Sequence, residues 1–161
     1  MNRQVGHSAL IRRAQPLDAA DLLALITEHI RYERADVTVE ADLVHRLDAW
    51  MDQGRIEIFV AAAPQPFPDG RGLLGYAALT RDVATWTGRE YGHLDCLFVR
   101  EPARGHGVGR RLFNHVLERC REVGLSQIQW QTPAWNLRAV GFYERLGAIH
   151  HPKQRFTITI E

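Results

Sequence analysis

Two spacings of hydrophobic residues alternate along this chain, and together they predict short strands separated by amphipathic helices. After Asp18, apolar residues recur three and four positions apart at Leu22, Leu25, Ile26 and Ile30, which is the period of a helix with one buried face. Aspartate is also a residue type that favours the N-cap position of a helix. The sequence therefore predicts that Asp18 caps a helix that buries this stripe.

Further along the chain, apolar runs bounded by glycine and proline predict the remaining elements. The most strongly marked helix covers 108–123 and ends at Gly124, and 64–72 is a loop rich in proline and glycine. The other predicted helices cover about 40–53 and 137–146, and the predicted strands cover 10–12, 56–63, 73–80, 91–99, 126–132, 148–151 and 156–160. This order predicts an α/β fold in a single domain, 1–161, with a mixed, mostly antiparallel sheet and helices on both faces.

The composition of the chain excludes several classes of protein. A hydrophobic content of 45% and a net charge of +1 indicate a globular domain without the strongly basic surface that nucleic-acid binding requires. No run of about 18 apolar residues could span a membrane, and the first residues lack the apolar core of a signal peptide. Neither the two cysteines, Cys96 and Cys120, nor the histidines have metal-ligand spacing. We expect a cytoplasmic protein without a metal ion, a nucleic-acid partner or a membrane partner.

Charge is distributed unevenly along the chain. Acidic residues predominate in 17–52, and arginines outnumber glutamates in 100–122. Solvated helix faces would account for both segments. The alternative is that the second segment binds an anionic cofactor and the first lies near a cationic substrate.

The second segment contains a glycine-rich turn between a strand and a helix. Gly105, Gly107 and Gly109 stand at alternating positions after the strand at 91–99, immediately before the helix at 108–123. The first N–H groups of a helix have no intrahelical partner and lie at the positive end of its dipole. Because glycine has no side chain, it allows phosphate oxygens to approach these groups. The sequence therefore predicts a phosphate-binding site here.

Three phosphate ligands are candidates for this turn, and two of them require residues that the chain lacks. A P-loop for ATP or GTP continues into Gly-Lys-Ser/Thr, but no lysine follows these glycines. A dinucleotide fingerprint requires Gly-x-Gly-x-x-Gly and a later acidic residue, but position 110 is arginine and the strand at 127–132 has no acid. The remaining interpretation is the pyrophosphate of coenzyme A.

Two motifs in the second half of the chain resemble those of a known family. The first is Arg104-x-x-Gly107-x-Gly109, and the second is Asn136-x-x-Ala139-x-x-Phe142-Tyr143-x-x-Leu146-Gly147-Ala148. They resemble the acyl-CoA-binding motif and the fourth-helix segment of the GCN5-related N-acetyltransferase (GNAT) family, and the resemblance covers about 10–160. It implies a GNAT-type fold in which two central strands, here 91–99 and 126–132, splay apart to admit acetyl-CoA.

The resemblance also implies which residues hold this co-substrate. The backbone of one strand pairs with the pantetheine arm as if the arm were an added strand, N–H groups of the turn hold the pyrophosphate, and two arginines add charge. The implied cofactor-binding residues are Leu97, Phe98, Val99, Arg104, Gly105, His106, Gly107, Val108, Gly109, Arg110, Asn136, Ala139 and Phe142.

Acetyl transfer to an amine requires a neutral amine, donors for the oxyanion and a proton for the leaving thiolate. The resemblance places a general acid at Tyr143, for which packing at a helix end is the alternative role, and an oxyanion donor at the N–H of Val99 or Phe98. Asp95 is the second catalytic candidate, because a carboxylate in an apolar strand is costly to bury without a partner. It is predicted to bind an ammonium group or relay its proton through water, unless it pairs with an arginine.

Strand alternation places Asp95, Leu97 and Val99 on one face and Leu94, Cys96 and Phe98 on the other. A rival mechanism makes Cys96 an acyl-carrying nucleophile, but it needs a neighbouring base. His93 lies on the opposite face of the strand in this prediction.

Several further residues resemble the spermidine/spermine and thialysine N-acetyltransferase branch of the family. The matching segments are Tyr32-Glu33, Thr85-Trp86-Thr87-Gly88 and Leu94-Asp95, whereas Cys96 and Ala84 replace acidic residues that are usual in that branch. The acidic residues Glu28, Glu33, Asp36 and Asp95 fit a cationic acceptor, and Gln129 and Gln131 are predicted to share one face of a polar pocket. The predicted substrate-binding residues are Tyr32, Glu33, Trp86, Asp95, Gln129 and Gln131.

The sequence thus predicts an acetyl-CoA-dependent N-acetyltransferase that acts on a small cationic primary amine by direct attack in a ternary complex. The resemblance also implies a homodimer. Two alternatives stay open: a catalytically silent acyl-CoA sensor, and an acetyltransferase for protein N-termini or lysines.

Overall fold

A computed structural model describes residues 9–67 and 71–160. Most of the N-terminal segment predicted to lack a signal peptide, and the middle of the predicted 64–72 loop, lie outside the described residues. The chain divides into two compact units, Met1–Trp130 and Gln131–Glu161, which are described separately below.

The first unit contains a five-stranded sheet in the order β1-β2-β3-β4-β5. Its strands are β1 (Leu10–Arg13), β2 (Ile56–Ala62), β3 (Leu73–Ala84), β4 (Arg89–Val99) and β5 (Ile128–Gln129). Neighbouring strands are antiparallel except β4 and β5, which are parallel. The prediction of a mixed, mostly antiparallel sheet is therefore confirmed.

Helices cover both faces of this sheet. Helices α1 (Ala19–Glu33) and α2 (Leu43–Asp52) pack on one face, where Leu22, Leu25 and Met51 join a core with residues of β2, β3 and β4. Helix α3 (Val108–Glu122) covers the other face with its predicted apolar stripe, and Leu112 is fully buried there. Each such leucine contributes roughly 1.5–3 kcal/mol through burial, which explains why hydrophobic periodicity predicted α1 and α3.

A buried arginine joins α1 to the ends of β3 and β4. The Arg100 guanidinium donates to Asp21 at 2.8 Å, to Glu28 at 3.1 Å and to the Leu73 carbonyl at 2.6 Å. The other Asp21 carboxylate oxygen accepts the N–H groups of Gly72 and Leu73. Arg100 is only 7% exposed, so this network holds α1 in place over the sheet.

A β-bulge at Asp95 corrects the predicted alternation along β4. Cys96 pairs with Ala78 and Leu94 pairs with Leu79, which leaves Asp95 as an extra residue without a cross-strand partner. Cys96 and Phe98 therefore pack on the α1 face, whereas Leu94 faces α3, like its partner Leu79. The prediction that Leu94 and Cys96 share a face is wrong.

Several predicted boundaries are also wrong. The β3–β4 hairpin extends to Ala84 and Arg89, and the strand predicted at 126–132 is reduced to Ile128–Gln129. Asp18 precedes α1, but its carboxylate caps no N–H group of α1, because it accepts from Arg12 and from the Gln15 N–H instead.

The second unit contains helix α4 (Leu137–Arg145), which lies within the predicted 137–146 helix. The predicted cap is present, since the Asn136 side chain accepts the Ala139 N–H at 3.2 Å. The strands predicted at 148–151 and 156–160 are absent from the described part of this unit, where both segments lack regular structure and are exposed. A strand needs a neighbouring strand for its backbone hydrogen bonds, and this requirement explains the failed prediction.

Candidate active site

The glycine-rich turn has the backbone that an anion site requires. Gly105 and Gly107 have φ values of 79° and 80°, a region that residues with a side chain rarely adopt. A Cβ added at either position would meet no protein atom within 4 Å. The space beside the backbone is therefore open, and glycine here keeps it available to a ligand.

The N-terminus of α3 is directed into this turn without a capping side chain. The Arg111 N–H bonds to the Gly107 carbonyl, and the N–H groups of Val108, Gly109 and Arg110 precede this first helical bond. Val108 is buried, so only its backbone could contribute to ligand binding, whereas Arg110 is exposed. This arrangement fits a pyrophosphate, whose charge matches the positive end of the helix.

Arg104 lies at the end of β4 and contacts aromatic rings. Its Nε donates to the Val99 carbonyl at 2.7 Å. Its guanidinium stands 4.4 Å from the ring centre of Tyr32 and 5.3 Å from that of Phe98, distances that allow cation–π attraction. Arg104 therefore connects the glycine turn to the C-terminal end of α1.

In the described part of the chain, the outer edge of β4 pairs with another strand over only a short length. Within the described residues, β4 pairs with β5 only at Gly92 and His93, whereas it pairs with β3 as far as Val99. The predicted pairing segment, 97–99, thus lies on an edge where a ligand in an extended conformation could pair as an added strand. This limited pairing matches the predicted splay of the two strands.

Asp95 is exposed on the bulge of β4. Among the described residues no basic side chain forms an ion pair with it, so its predicted pairing with an arginine is not observed. Its contact is with the Cys96 thiol, at 3.6 Å between Sγ and Oδ2. In contrast, Glu28 is engaged by Arg100 and Arg71, which removes it from the predicted acidic surface for a cation.

Cys96 packs beside Tyr76, which contacts α1 through His29. Cys96 and Tyr76 lie on the same face of neighbouring strands and pack in the same core, and the Tyr76 hydroxyl lies 2.9 Å from His29 Nδ1. His29 Nε2 lies 3.4 Å from Glu33 Oε1. Burial, with the nearby Asp95 charge, raises the pKa of Cys96 to about 12. The thiol is therefore protonated at neutral pH, which argues against Cys96 as a nucleophile.

The structure brings Tyr32 and Glu33 to the site but not Trp86. Tyr32 lies against Phe98, with ring centres 6.1 Å apart, and Glu33 contacts His29 on the same helix. Trp86 is fully exposed at the tip of the β3–β4 hairpin. The six residue-to-residue steps from Arg89 to Asp95 span roughly 20 Å of extended strand, so within one chain Trp86 does not reach Asp95.

The two glutamines predicted to share a strand face do not do so. Gln129 is exposed at the end of β5 and contacts the Gln127 side chain at 3.4 Å. Gln131 follows the end of this short strand and belongs to the second unit.

The second unit carries the remaining predicted residues on one helix. Asn136 is the N-cap of α4 and bonds to Ala139. Phe142 and Tyr143 make an edge-to-face contact with ring centres 5.1 Å apart. The acid role of Tyr143 stays a prediction.

Sequence reasoning missed His29 and Tyr76. His29 occupies the next position of the apolar stripe that begins at Leu22, and its side chain is only 12% exposed. A histidine on the buried face of a helix needs a polar partner. The position of His29 in the apolar stripe therefore indicated that such a partner lies in the core. The partner, Tyr76, is 3% exposed on β3 and lies 47 positions away in sequence.

Comparisons with known proteins agree with this geometry. The family model described as "Acetyltransferase (GNAT) family" matches residues 23–148. The chain is 32% identical to thialysine N-epsilon-acetyltransferase of Sus scrofa over 88% of this chain and 84% of that protein. It is 30% identical to L-methionine sulfoximine/L-methionine sulfone acetyltransferase of Pseudomonas paraeruginosa over 87% and 80% of the two chains.

The fold is also found among solved structures. An aminoglycoside acetyltransferase from an uncultured soil metagenomic sample, solved in complex with sisomicin, has a TM-score of 0.77 at 15% identity. The match covers 98% of this chain and all of the other. The sequence motifs, the fold and the family model agree, and the chain belongs to the GNAT family of acetyltransferases.

Proposed function

We propose that this enzyme transfers an acetyl group from acetyl-CoA to a small cationic primary amine by direct attack in a ternary complex. The observation that carries the proposal is the open backbone of Gly105 and Gly107, located between the N-terminus of α3 and the unpaired outer edge of β4. A phosphate group and an extended amide arm on one molecule match these two features, and coenzyme A has both.

Backbone groups supply most of the proposed donor site. N–H groups of residues 105–110 hold the pyrophosphate, and the backbone of 97–99 pairs with the pantetheine arm. Bound acetyl-CoA supplies the thioester carbonyl. The N–H of Val99 or Phe98 then donates to its oxygen, which becomes an oxyanion as the amine attacks.

Side chains supply the proposed acid and base chemistry. Asp95 binds the ammonium group of the acceptor, because an exposed carboxylate without an ion-pair partner among the described residues attracts a cation. Tyr143 protonates the leaving thiolate, a role that rests on the family motif. Phenols ordinarily have a pKa near 10 and so carry the necessary proton at neutral pH.

The names of the relatives support a small amine as acceptor. Thialysine, methionine sulfone and the aminoglycoside sisomicin all carry amino groups, and each occurs in the name of a relative or structural neighbour. We also propose that the enzyme works in the cytoplasm, where its two free cysteines, Cys96 and Cys120, stay reduced.

We further propose that the enzyme is a homodimer. The second unit exposes Phe156, Ile158 and Ile160 at alternate positions, each at least 86% exposed, and one side of this segment is therefore apolar. Such an alternating segment buries its apolar side when it pairs with another strand. Light scattering is expected to give a dimer for the wild type and a monomer for Ile158→Asp. A monomeric wild type would contradict this part of the proposal.

Release of free thiol from acetyl-CoA, measured with DTNB, tests the function. The acceptors are thialysine, methionine sulfone, sisomicin, spermidine and a lysine-containing peptide, and CoA-induced thermal stabilisation is measured in parallel. We expect amine-dependent release, with the KM for the amine raised in Asp95→Asn. Stabilisation by CoA without release with any acceptor would instead indicate a silent acyl-CoA sensor. Turnover of the peptide alone would indicate a protein acetyltransferase.

A further inference from the structure

We propose that a chain of four side chains removes the proton from the acceptor amine and ends on a histidine of α1. The side chains are Asp95, Cys96, Tyr76 and His29. The inference rests on the proposed function, in which Asp95 receives the ammonium group. It assigns positioning roles to the other three residues, which act through the Asp95 carboxylate.

The side chains form a continuous series of contacts from the exposed bulge into the core. Asp95 Oδ2 lies 3.6 Å from Cys96 Sγ, Cys96 and Tyr76 lie on the same face of β4 and β3 and pack in the same core, and the Tyr76 hydroxyl lies 2.9 Å from His29 Nδ1. The bulge at Asp95 makes this possible, because it directs Cys96 toward Tyr76 while its neighbour Leu94 faces α3.

The two middle groups can pass a proton on but do not keep a charge. Burial raises the pKa of Tyr76 well above its usual value, and the pKa of Cys96 is also raised. Each group therefore stays neutral at physiological pH, with one proton to donate and lone pairs to accept another. Such groups transmit a proton by giving up one while receiving the next.

Once the chain has received the proton of the amine, counting donors gives two consistent arrangements. With neutral His29, the Tyr76 hydroxyl donates to Nδ1, the Cys96 thiol donates to Tyr76, and Asp95 must carry a proton to donate to the thiol. With His29 protonated, Nδ1 donates to Tyr76, Tyr76 donates to Cys96, and the thiol donates to the Asp95 carboxylate. The two arrangements differ by the movement of one proton along the chain.

The proposed step starts from an Asp95 carboxylate and a neutral His29. The ammonium N–H bond breaks and its proton joins Asp95, which gives the first arrangement and leaves a neutral amine with a lone pair. Asp95 then passes a proton to Cys96 as Cys96 passes its own to Tyr76 and Tyr76 passes its own to His29. Asp95 returns to a carboxylate, and His29 becomes an imidazolium. The imidazolium then releases one proton to solvent.

The groups around His29 favour this final state. On α1, Glu33 Oε1 lies 3.4 Å from Nε2, and the Glu33 side chain is partly exposed. Its carboxylate therefore stabilises the imidazolium and can pass the proton from Nε2 to water. On β4, the His29 ring stacks on Phe98 at 4.9 Å. Arg104 contacts the same Phe98 and opposes the imidazolium charge, whereas Asp95 at the other end of the chain favours it.

Three variants test the chain through turnover: His29→Gln, Tyr76→Phe and the double variant. We expect each single variant to lower kcat on the order of 10²-fold and to flatten the acid limb of the pH profile of kcat. The double variant is expected to lose no more than either single variant, because both interrupt one path. His115→Gln is the control, since His115 packs edge-to-face on Phe59 of β2. Losses that multiply in the double variant would overturn the proposal.

Substitutions of the thiol separate the relay from other roles of Cys96. Cys96→Ser keeps one donor and one acceptor and is expected to retain most of the activity, whereas Cys96→Ala is expected to match Tyr76→Phe. Loss of activity in Cys96→Ser with thermal stability preserved would contradict the relay.

A final measurement requires no turnover and therefore separates failure of the relay from failure of the proposed function. The titration of His29 is followed by NMR of its imidazole nitrogens. Asp95→Asn is expected to lower the midpoint of this titration in the wild-type background but not in Cys96→Ala, because the coupling passes through the thiol. An equal shift in both backgrounds would indicate only a through-space charge effect and would overturn the relay, even in an active enzyme.

Discussion

Replacing Arg100 with methionine is expected to destabilise the fold far more than the same replacement at a surface arginine. Arg100 is 7% exposed and donates to two carboxylates and a carbonyl. Methionine preserves much of the side-chain volume but leaves the half-buried Asp21 carboxylate without its cation. Breaking a buried ion pair in this way typically costs about 3–5 kcal/mol. For a chain of this length, that loss corresponds to a fall in Tm of roughly 6–20 °C.

Arg46→Met is the matched control for this prediction. Arg46 also pairs with two carboxylates, Glu40 at 2.6 Å and Asp42 at 3.3 Å, but its side chain is 45% exposed. Water already solvates these charges, so a much smaller change in Tm is expected.

Thermal unfolding followed by circular dichroism compares the two variants with the wild type. In the double variant Arg100→Met, Asp21→Asn, part of the lost stability is expected to return, because no unpaired carboxylate is left at position 21. Equal Tm losses in Arg100→Met and Arg46→Met would refute the reasoning, since they would show that burial does not determine the cost.

Three further predictions concern the turn, the thiol and a buried carboxylate. Gly107→Ala is expected to lower Tm by roughly 2–8 °C through backbone strain and to abolish most CoA-induced stabilisation; unchanged stabilisation by CoA would contradict the proposed site. Cys96 is expected to react with iodoacetamide at about pH 8 on the order of 10³-fold more slowly in the native than in the unfolded protein. Mass spectrometry of the Cys96 peptide measures both alkylation rates, and equal rates would disprove this prediction. Burial alone would raise the pKa of Asp18, but hydrogen bonds from Arg12 and the Gln15 N–H outweigh it and lower the pKa. The resulting stabilisation is present above about pH 4 and is lost as pH falls through the lowered pKa, so urea unfolding of Asp18→Asn should differ from the wild type at neutral pH and approach it in acid.

Hydrophobic periodicity predicted the parts of this fold that depend on local sequence. Helix α3 has one apolar stripe, from Val108 to Cys120, and it occupies the predicted segment. The glycine turn was predicted equally well, because its conformation depends on glycines within the turn itself.

The missed features depend on residues that are distant in sequence. The bulge at Asp95 arises from the pairing of β4 with Ala78 and Leu79 on β3, and no local pattern specifies such an extra residue. The proposed relay depends on this bulge and on His29, which local periodicity treats as one more position of a buried stripe. Trp86, at the tip of the β3–β4 hairpin, was predicted to bind substrate only because its segment resembles one branch of the family. The extended strand separates it from Asp95 within one chain.

The central claim is that this chain uses acetyl-CoA to acetylate a cationic amine bound at Asp95. The most direct measurement is mass spectrometry of the amine after incubation with acetyl-CoA and the enzyme, with Asp95→Asn and Gly107→Ala in parallel. We expect one added acetyl group on the amine, formation of CoA in equal amount, and a large loss of product in both variants. Unmodified amine with every acceptor tested, despite CoA binding by the wild type, would contradict it.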